Sequence, residues 1–148
     1  MTRVLFVCLG NICRSPMAHG LFEHRVAERG WGDRYAVDSC GTAAYHAGES
    51  PDPRTTHVLA VHGVSFTHRA RALRREDADR FDHILVADRQ NLRDATRILG
   101  VAPELMLEPV GGGDVPDPYY GGTGGFETVF QLLDGAVNAW LDRWEPGR

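Results

Sequence analysis

The stretch that most constrains this chain is VLFVCLGNICRSPMA, residues 4–18. Val4-Leu5-Phe6-Val7 is an unbroken apolar run, the pattern of a strand buried on both faces. It runs into Cys8, and a short loop follows. Ser15 as N-cap with Pro16 at the first helical position then signals a helix start. Met17, Leu21, Phe22 and Val26 continue that helix at its own spacing. A buried strand that enters a helix through so short a loop is the first half of a β-α-β unit, and such units build parallel sheets.

The same alternation continues along the chain. Tyr35 to Ser39 reads as a second strand, and Gly41 to Pro53 as a Gly/Pro-marked loop. A helix is expected over Arg54 to His62 and a short one over Arg74 to Arg80. FDHILVA, Phe81 to Ala87, is a third strand. Arg89 to Leu99 is a helix stopped by Gly100. Glu104 to Leu107 is a fourth strand. EPVGGGDVPDPYYGGTGG is too rich in Gly and Pro for regular structure, and a last helix opens at Phe126 with Phe, Leu, Val and Trp on one stripe. The expected fold is therefore α/β, a single three-layer domain over residues 1–148, with a mostly parallel sheet and helices on both faces. In such folds ligands bind at the carboxyl ends of strands, near the point where strand order reverses. Cys8 stands at such an end.

Composition narrows the function classes. The 148 residues carry a formal net charge of −4, which disfavours nucleic acid as a partner. No apolar run approaches the roughly 20 residues that cross a bilayer, so no membrane partner is expected. The start MTRVLFV lacks the long apolar region and cleavage site of a signal peptide. Three cysteines are too few and odd in number for a disulfide framework, which points to a reducing compartment, the cytoplasm.

The first loop has the makings of an anion cradle. A short strand-to-helix loop turns backbone N–H groups inward, and the helix N-terminus adds partial positive charge. Gly10 and Asn11 are the residue types that tolerate positive φ. Arg14 offers two parallel N–H donors to two phosphate oxygens, which a lysine cannot. Cys8 would lie on the floor. Aimed amides, a helix N-terminus and a guanidinium favour a thiolate over a thiol, and Ser15 is the nearest hydroxyl to steady it. The alternatives are inert strand-end packing of Cys8, or half of a zinc site. Zinc wants four ligands, and beyond Cys8 and Cys13 only Cys40 remains.

With these residues in place, VLFVCLGNICRSPMA resembles the signature of the low-molecular-weight protein tyrosine phosphatases. The resemblance continues through VDSCGT, HGVSFTHRAR, DRQNLRDA and DPYYGG…FETVF, in the family's order. It implies a four-stranded parallel sheet of order 2-1-3-4 and no metal or cofactor. It implies Cys8 as nucleophile, Arg14 as phosphate clamp and Asp117, in DPYY, as general acid. Leu9, Gly10, Asn11, Ile12, Cys13 and Arg14 would supply cradle amides, and Ser15 a hydrogen bond to the sulfur. Asn11, Ser15, Ser39 and His68 would support the loop. Cys13 would be the redox partner of Cys8, and Asp88 would orient the neighbours of the acid.

Other residues shape the mouth. Tyr119, Tyr120 and Tyr45 would wall a flat aryl phosphate, since aromatic rings sandwich such a substrate. His46 would tune substrate choice. The basic run from His68 to Arg75 is expected to be a solvated helical face, because Glu76, Asp77 and Asp79 follow it. The expected partners are phosphotyrosine-containing proteins, with inorganic phosphate or other oxyanions as inhibitors, and a monomer or weak self-association. Three rivals share the scaffold. An arsenate reductase would need a cysteine pair after Cys40. A protein-arginine phosphatase would, by resemblance, carry Thr in place of Ile12. A phosphate-binding or redox-sensing module would have no use for Asp117.

Overall fold

The computed structural model describes residues 1–145. Four strands, β1 (Thr2–Cys8), β2 (Tyr35–Gly41), β3 (His83–Val86) and β4 (Glu104–Leu105), form one all-parallel sheet of order β2-β1-β3-β4. Five α-helices connect or flank them: α1 (Arg14–Glu28), α2 (Pro53–Val61), α3 (Asp77–Arg80), α4 (Arg89–Leu99) and α5 (Thr123–Trp144). A 3₁₀ turn covers Glu108–Val110.

The layers follow from the parity of β1. Val4, Phe6 and Cys8 point into one core with Met17, Leu21 and Phe22 of α1 and Phe126, Phe130 and Leu133 of α5. Leu5 and Val7 point the other way, against Ala95 and Leu99 of α4 and Leu73. All four apolar residues from Val4 to Val7 are fully or almost fully buried, as the unbroken apolar run requires. After β1 the chain steps to β2 on one side. It later returns to β3 on the other. The carboxyl ends of β1 and β3 therefore flank the switch point.

Several sequence expectations are corrected. The cap of α1 is Cys13, not Ser15; the helix begins at Arg14, so Pro16 occupies its third position, still free of any donor requirement. No side chain caps this end, because the Ser15 hydroxyl is turned to the sulfur and to Asn11 instead. Helix α2 starts one residue early, at Pro53, with Asp52 accepting from the Arg54 amide as its cap. β3 and β4 are shorter than their apolar runs. Helix α5 begins at Thr123, ahead of the expected start at Phe126.

The segment from His68 to Arg75 is not a solvated helix. It runs extended: Ala72 bridges Gly41, and the peptides of Arg71 and Leu73 pair with Gly41 on either side. Arg69, Arg74 and Arg75 are exposed, as expected, while Arg71 is turned inward. Arg71 binds Asp38 of β2 at 3.0 Å and the fully buried Asp77 at 3.0 Å, and Asp77 also accepts from the Arg74 amide at 2.8 Å.

Candidate active site

The site is built where β1 becomes α1. Asn11 is the one non-glycine residue with positive φ among the described residues, at 58°. That conformation curls the loop on itself, and asparagine tolerates it better than most side chains. The loop carbonyls are bonded away from the hollow: Cys8 accepts from Thr42 at 2.9 Å, Leu9 from Ala43 at 3.0 Å, and Ile12 from Asp52 at 2.9 Å. Among the described residues, no backbone N–H from Leu9 to Cys13 donates to another part of the protein. Leu9, Gly10, Ile12 and Cys13 of this row line one cavity, and amides left without a protein acceptor beside a cavity are what an anion nest requires.

Beneath the loop lies a hydrogen-bonded network. Asn11 Nδ2 donates to Ser15 Oγ at 2.8 Å and to Ser39 Oγ at 3.1 Å. Asn11 Oδ1 accepts from the Arg71 amide at 3.2 Å and lies 2.9 Å from His68 Nε2, which must therefore carry the proton. Ser15 Oγ stands 3.0 Å from Cys8 Sγ. Because Asn11 donates to that hydroxyl, its own proton is left for the sulfur or for the Cys40 carbonyl at 3.3 Å. The side chains of Asn11 and Ser15 are thus committed to this network.

The network has a member that the sequence did not reveal. His19, on the inner face of α1, is buried with Nδ1 2.9 Å from Ser39 Oγ and its ring edge-on to His68, 5.2 Å between centroids. The available signal was one polar residue four positions after Ser15 within an otherwise apolar stripe. Burial, the nearness of His19 and the Arg71 charge together hold the His68 imidazole below its ordinary range. His19, Asp38 and His68 bring ligand-type atoms within 4.8 Å of one another. Asp38 is committed to Arg71, and the two rings to Ser39 and Asn11, so the group is a hydrogen-bond network.

A cavity of about 130 Å³ opens above Cys8, lined by Leu9, Gly10, Ile12, Cys13 and Arg14 of the loop. Arg14, 3 % exposed, donates through Nη1 to Asp88 Oδ2 at 2.7 Å and to the Val115 carbonyl at 2.8 Å, and its Nη2 lies 3.8 Å from Asp117 Oδ2. Asp117 is more exposed than Arg14 and accepts from the Tyr119 amide at 3.1 Å. Tyr119, Tyr45, Tyr120 and His46 complete the mouth. They differ in exposure, at 38 % for Tyr119, 75 % for Tyr45 and 91 % for Tyr120, so Tyr119 is wall and the other two are rim. His46 packs over the loop so closely that a Cβ on Gly10 would meet its ring at 2.9 Å. Asp88 binds Arg14 and does not touch the acid.

The three cysteines are free thiols with unlike surroundings. Burial, with Asp52, Cys8 and Asp117 nearby, pushes the Cys13 thiol up to about 12. Burial raises Cys40 well above its ordinary value. Both are neutral thiols at physiological pH.

A parallel α/β sheet with a Cys-x₅-Arg loop at its switch point, a hollow lined by that loop and a carboxyl at its mouth defines the class of cysteine-dependent phosphoric monoester hydrolases. The model of the low molecular weight phosphotyrosine protein phosphatases matches residues 3–145, and the chain belongs to that family. It is 45 % identical to the low molecular weight phosphotyrosine protein phosphatase of Schizosaccharomyces pombe, covering 92 % of this chain and 93 % of the relative. It superposes on a protein tyrosine phosphatase of Entamoeba histolytica, crystallised with Hepes in the active site, with a TM-score of 0.92, 31 % identity and 99 % of each chain covered. A Drosophila arginine phosphatase gives a TM-score of 0.92 at 29 % identity over 100 % of each chain.

Proposed function

We propose that this enzyme hydrolyses phosphotyrosine in proteins through a phosphocysteine intermediate on Cys8. One observation carries the reading: Cys8 Sγ, steadied by Ser15 at 3.0 Å, shares a single cavity with Arg14 and Asp117. The phosphate enters among the loop amides and the Arg14 guanidinium, which stabilise the equatorial oxygens of a loose transition state. Cys8 attacks phosphorus as the thiolate, the P–S bond forms, and the bond to the leaving oxygen breaks. Asp117 gives that oxygen its proton, a role worth about 10²–10⁴-fold in rate. The same carboxylate then takes a proton from water, which attacks phosphorus and releases phosphate and Cys8.

The Tyr119 wall favours a flat aryl ester over the shorter phosphoserine. The likeness to an arginine phosphatase makes phosphoarginine the second reading; Ile12 in the cavity lining and Tyr119 at its wall favour the aryl substrate. Inorganic phosphate and other oxyanions are expected inhibitors, and the cytoplasm the expected compartment; no described helix is long and apolar enough to cross a membrane.

The test is turnover of phosphotyrosine, phosphoserine and phosphoarginine peptides by the wild type, Cys8→Ser and Asp117→Ala. Phosphotyrosine should be the preferred substrate, and Cys8→Ser should abolish turnover while phosphate still binds. Asp117→Ala should hurt poor leaving groups far more than activated ones. Residual turnover in Cys8→Ser, or preference for phosphoarginine, would overturn the assignment.

A further inference from the structure

We propose that Arg54 is a positioning residue that holds the Asp117–Tyr119 loop over the cavity. The proposal rests on Asp117 being the general acid. The first turn of α2 lies between the two loops of the site. On one side it rests on the phosphate loop: the Asp52 amide donates to the Ile12 carbonyl at 2.9 Å and the Thr55 hydroxyl to that of Cys13 at 3.4 Å. On the other side Arg54 reaches the acid loop. Its Nη2 donates to the Tyr119 carbonyl at 3.1 Å and its Nη1 to that of Gly121 at 3.4 Å.

The guanidinium is fixed before it makes these contacts. Its Nε and Nη2 bind the two Asp52 carboxylate oxygens at 3.0 and 2.9 Å, a fork that sets the plane of the group. That plane is wedged between the fully buried Phe126 ring, 4.4 Å from Cζ, and the Tyr119 ring at 5.5 Å, both within cation–π reach. Apart from the approach of Arg14 Nη2 to Asp117 Oδ2 at 3.8 Å, the acid loop has few other anchors. Its Val115 is tied by its amide to the Ala87 carbonyl and by its carbonyl to Arg14. From Pro116 to Gly122, among the described residues, the side-chain hydrogen bonds arriving from outside the loop all come from Arg54. The arginine therefore transmits the position of the phosphate loop, through Asp52, to the acid and its neighbouring ring. A lysine, a point donor on a flexible stem, could not hold the fork and both carbonyls together.

The experiment compares phenyl phosphate, a poor leaving group, with 4-nitrophenyl phosphate, an activated one. The proteins are the wild type, Arg54→Ala, Arg54→Lys, Asp117→Ala and the Arg54→Ala/Asp117→Ala double variant. Arg54→Ala should lower kcat/KM, which reports phosphoryl transfer to Cys8 and not the later hydrolysis that both esters share, by roughly ten- to a hundredfold for phenyl phosphate, the scale of a misplaced acid. For the activated ester the loss should stay below about threefold, and the phosphate inhibition constant should stay within about twofold. Arg54→Lys should recover little. Because Arg54 acts through Asp117, the double variant should match Asp117→Ala alone. Equal losses on both esters, additive losses in the double variant, or a change in unfolding midpoint without a change in leaving-group dependence would overturn the proposal. If Asp117→Ala shows no leaving-group dependence, the acid assignment fails and this proposal with it. If Asp117→Ala shows it and Arg54→Ala does not, only the role of Arg54 falls.

Discussion

Arg14 and Asp88 form a 2.7 Å ion pair between the first residue of α1 and the N-cap of α4, two helices that begin at the carboxyl ends of adjacent strands on opposite faces of the sheet. The pair spans the switch point. Asp88 uses one oxygen for Arg14 and the other for the Asn91 amide at 2.7 Å, so one carboxylate both orients the guanidinium and caps α4. The two roles separate by substitution. Asp88→Ala removes cap and partner together and should cost about 2–4 kcal/mol of stability. Asp88→Asn keeps a good capping oxygen and should recover about 1 kcal/mol of that loss. Urea unfolding of the two variants checks this; equal midpoints would remove the capping role.

Gly41 ends β2 against the phosphate loop. A Cβ there would meet the Leu9 carbonyl oxygen at 2.6 Å and the Asn11 nitrogen at 3.1 Å, both backbone atoms that cannot swing aside. Gly41→Ala should therefore displace the cradle itself. Misplacement on the order of 1 Å costs roughly 10²-fold in rate, and phosphate inhibition should weaken in parallel. Steady-state kinetics with phosphate as inhibitor decide it. A variant with unchanged phosphate affinity would show that the loop yields without loss.

How much of this was legible in the sequence depends on the range of each interaction. The four strands, their parallel setting and the Cys8 loop were readable because apolar runs and turn residues are local signals. The strand ends overshot, since β3 and β4 stop where pairing stops and not where hydrophobicity does. Ser15 looked like a cap because it precedes Pro16; its hydroxyl has stronger partners in Cys8 and Asn11. Arg71, within the basic run, looked solvated like its exposed neighbours because its partners, Asn11 and Asp38, lie 60 and 33 residues away along the chain. Arg54 and His19 were invisible for the same reason: what each residue does is set by segments that only the fold brings near.

The histidines give stability a pH dependence. Burial holds His83, stacked on Trp144 at 4.1 Å, below its ordinary range, and His68 is held low by burial and by His19. The groups facing His68 are His19 from α1, Asp38 from β2 and Arg71 from its own segment. As pH falls through about 6.5 the unfolded chain binds protons that these folded imidazoles still refuse, so the unfolded state gains. Stability should be full above that pH and decline as pH drops through the depressed folded values. Urea unfolding at about pH 7.5 and about pH 5.5 should show a smaller fall for His83→Gln than for the wild type. An identical fall would exclude His83 as a contributor.

Cys8 and Cys13 line one cavity but differ in surroundings, and burial with the nearby Asp52 and Asp117 carboxylates keeps Cys13 a neutral thiol. At neutral pH iodoacetamide should alkylate a single thiol and inactivate the enzyme in step, while the Cys8→Ser variant resists labelling; inorganic phosphate should slow the reaction by occupying the cradle. Peroxide should oxidise Cys8 to the sulfenic acid. The Cys13 thiol then attacks that sulfur, expelling water and leaving a disulfide that added thiol reduces. Cys13→Ser should lose activity to peroxide at a similar rate, yet regain far less of it on reduction, since its sulfenic acid stays open to further, irreversible oxidation. Mass spectrometry of the peroxide-treated wild type should find the loss of two hydrogens across the Cys8 and Cys13 peptides. Equal recovery of wild type and Cys13→Ser, or a disulfide through Cys40, would rule out the protective role of Cys13.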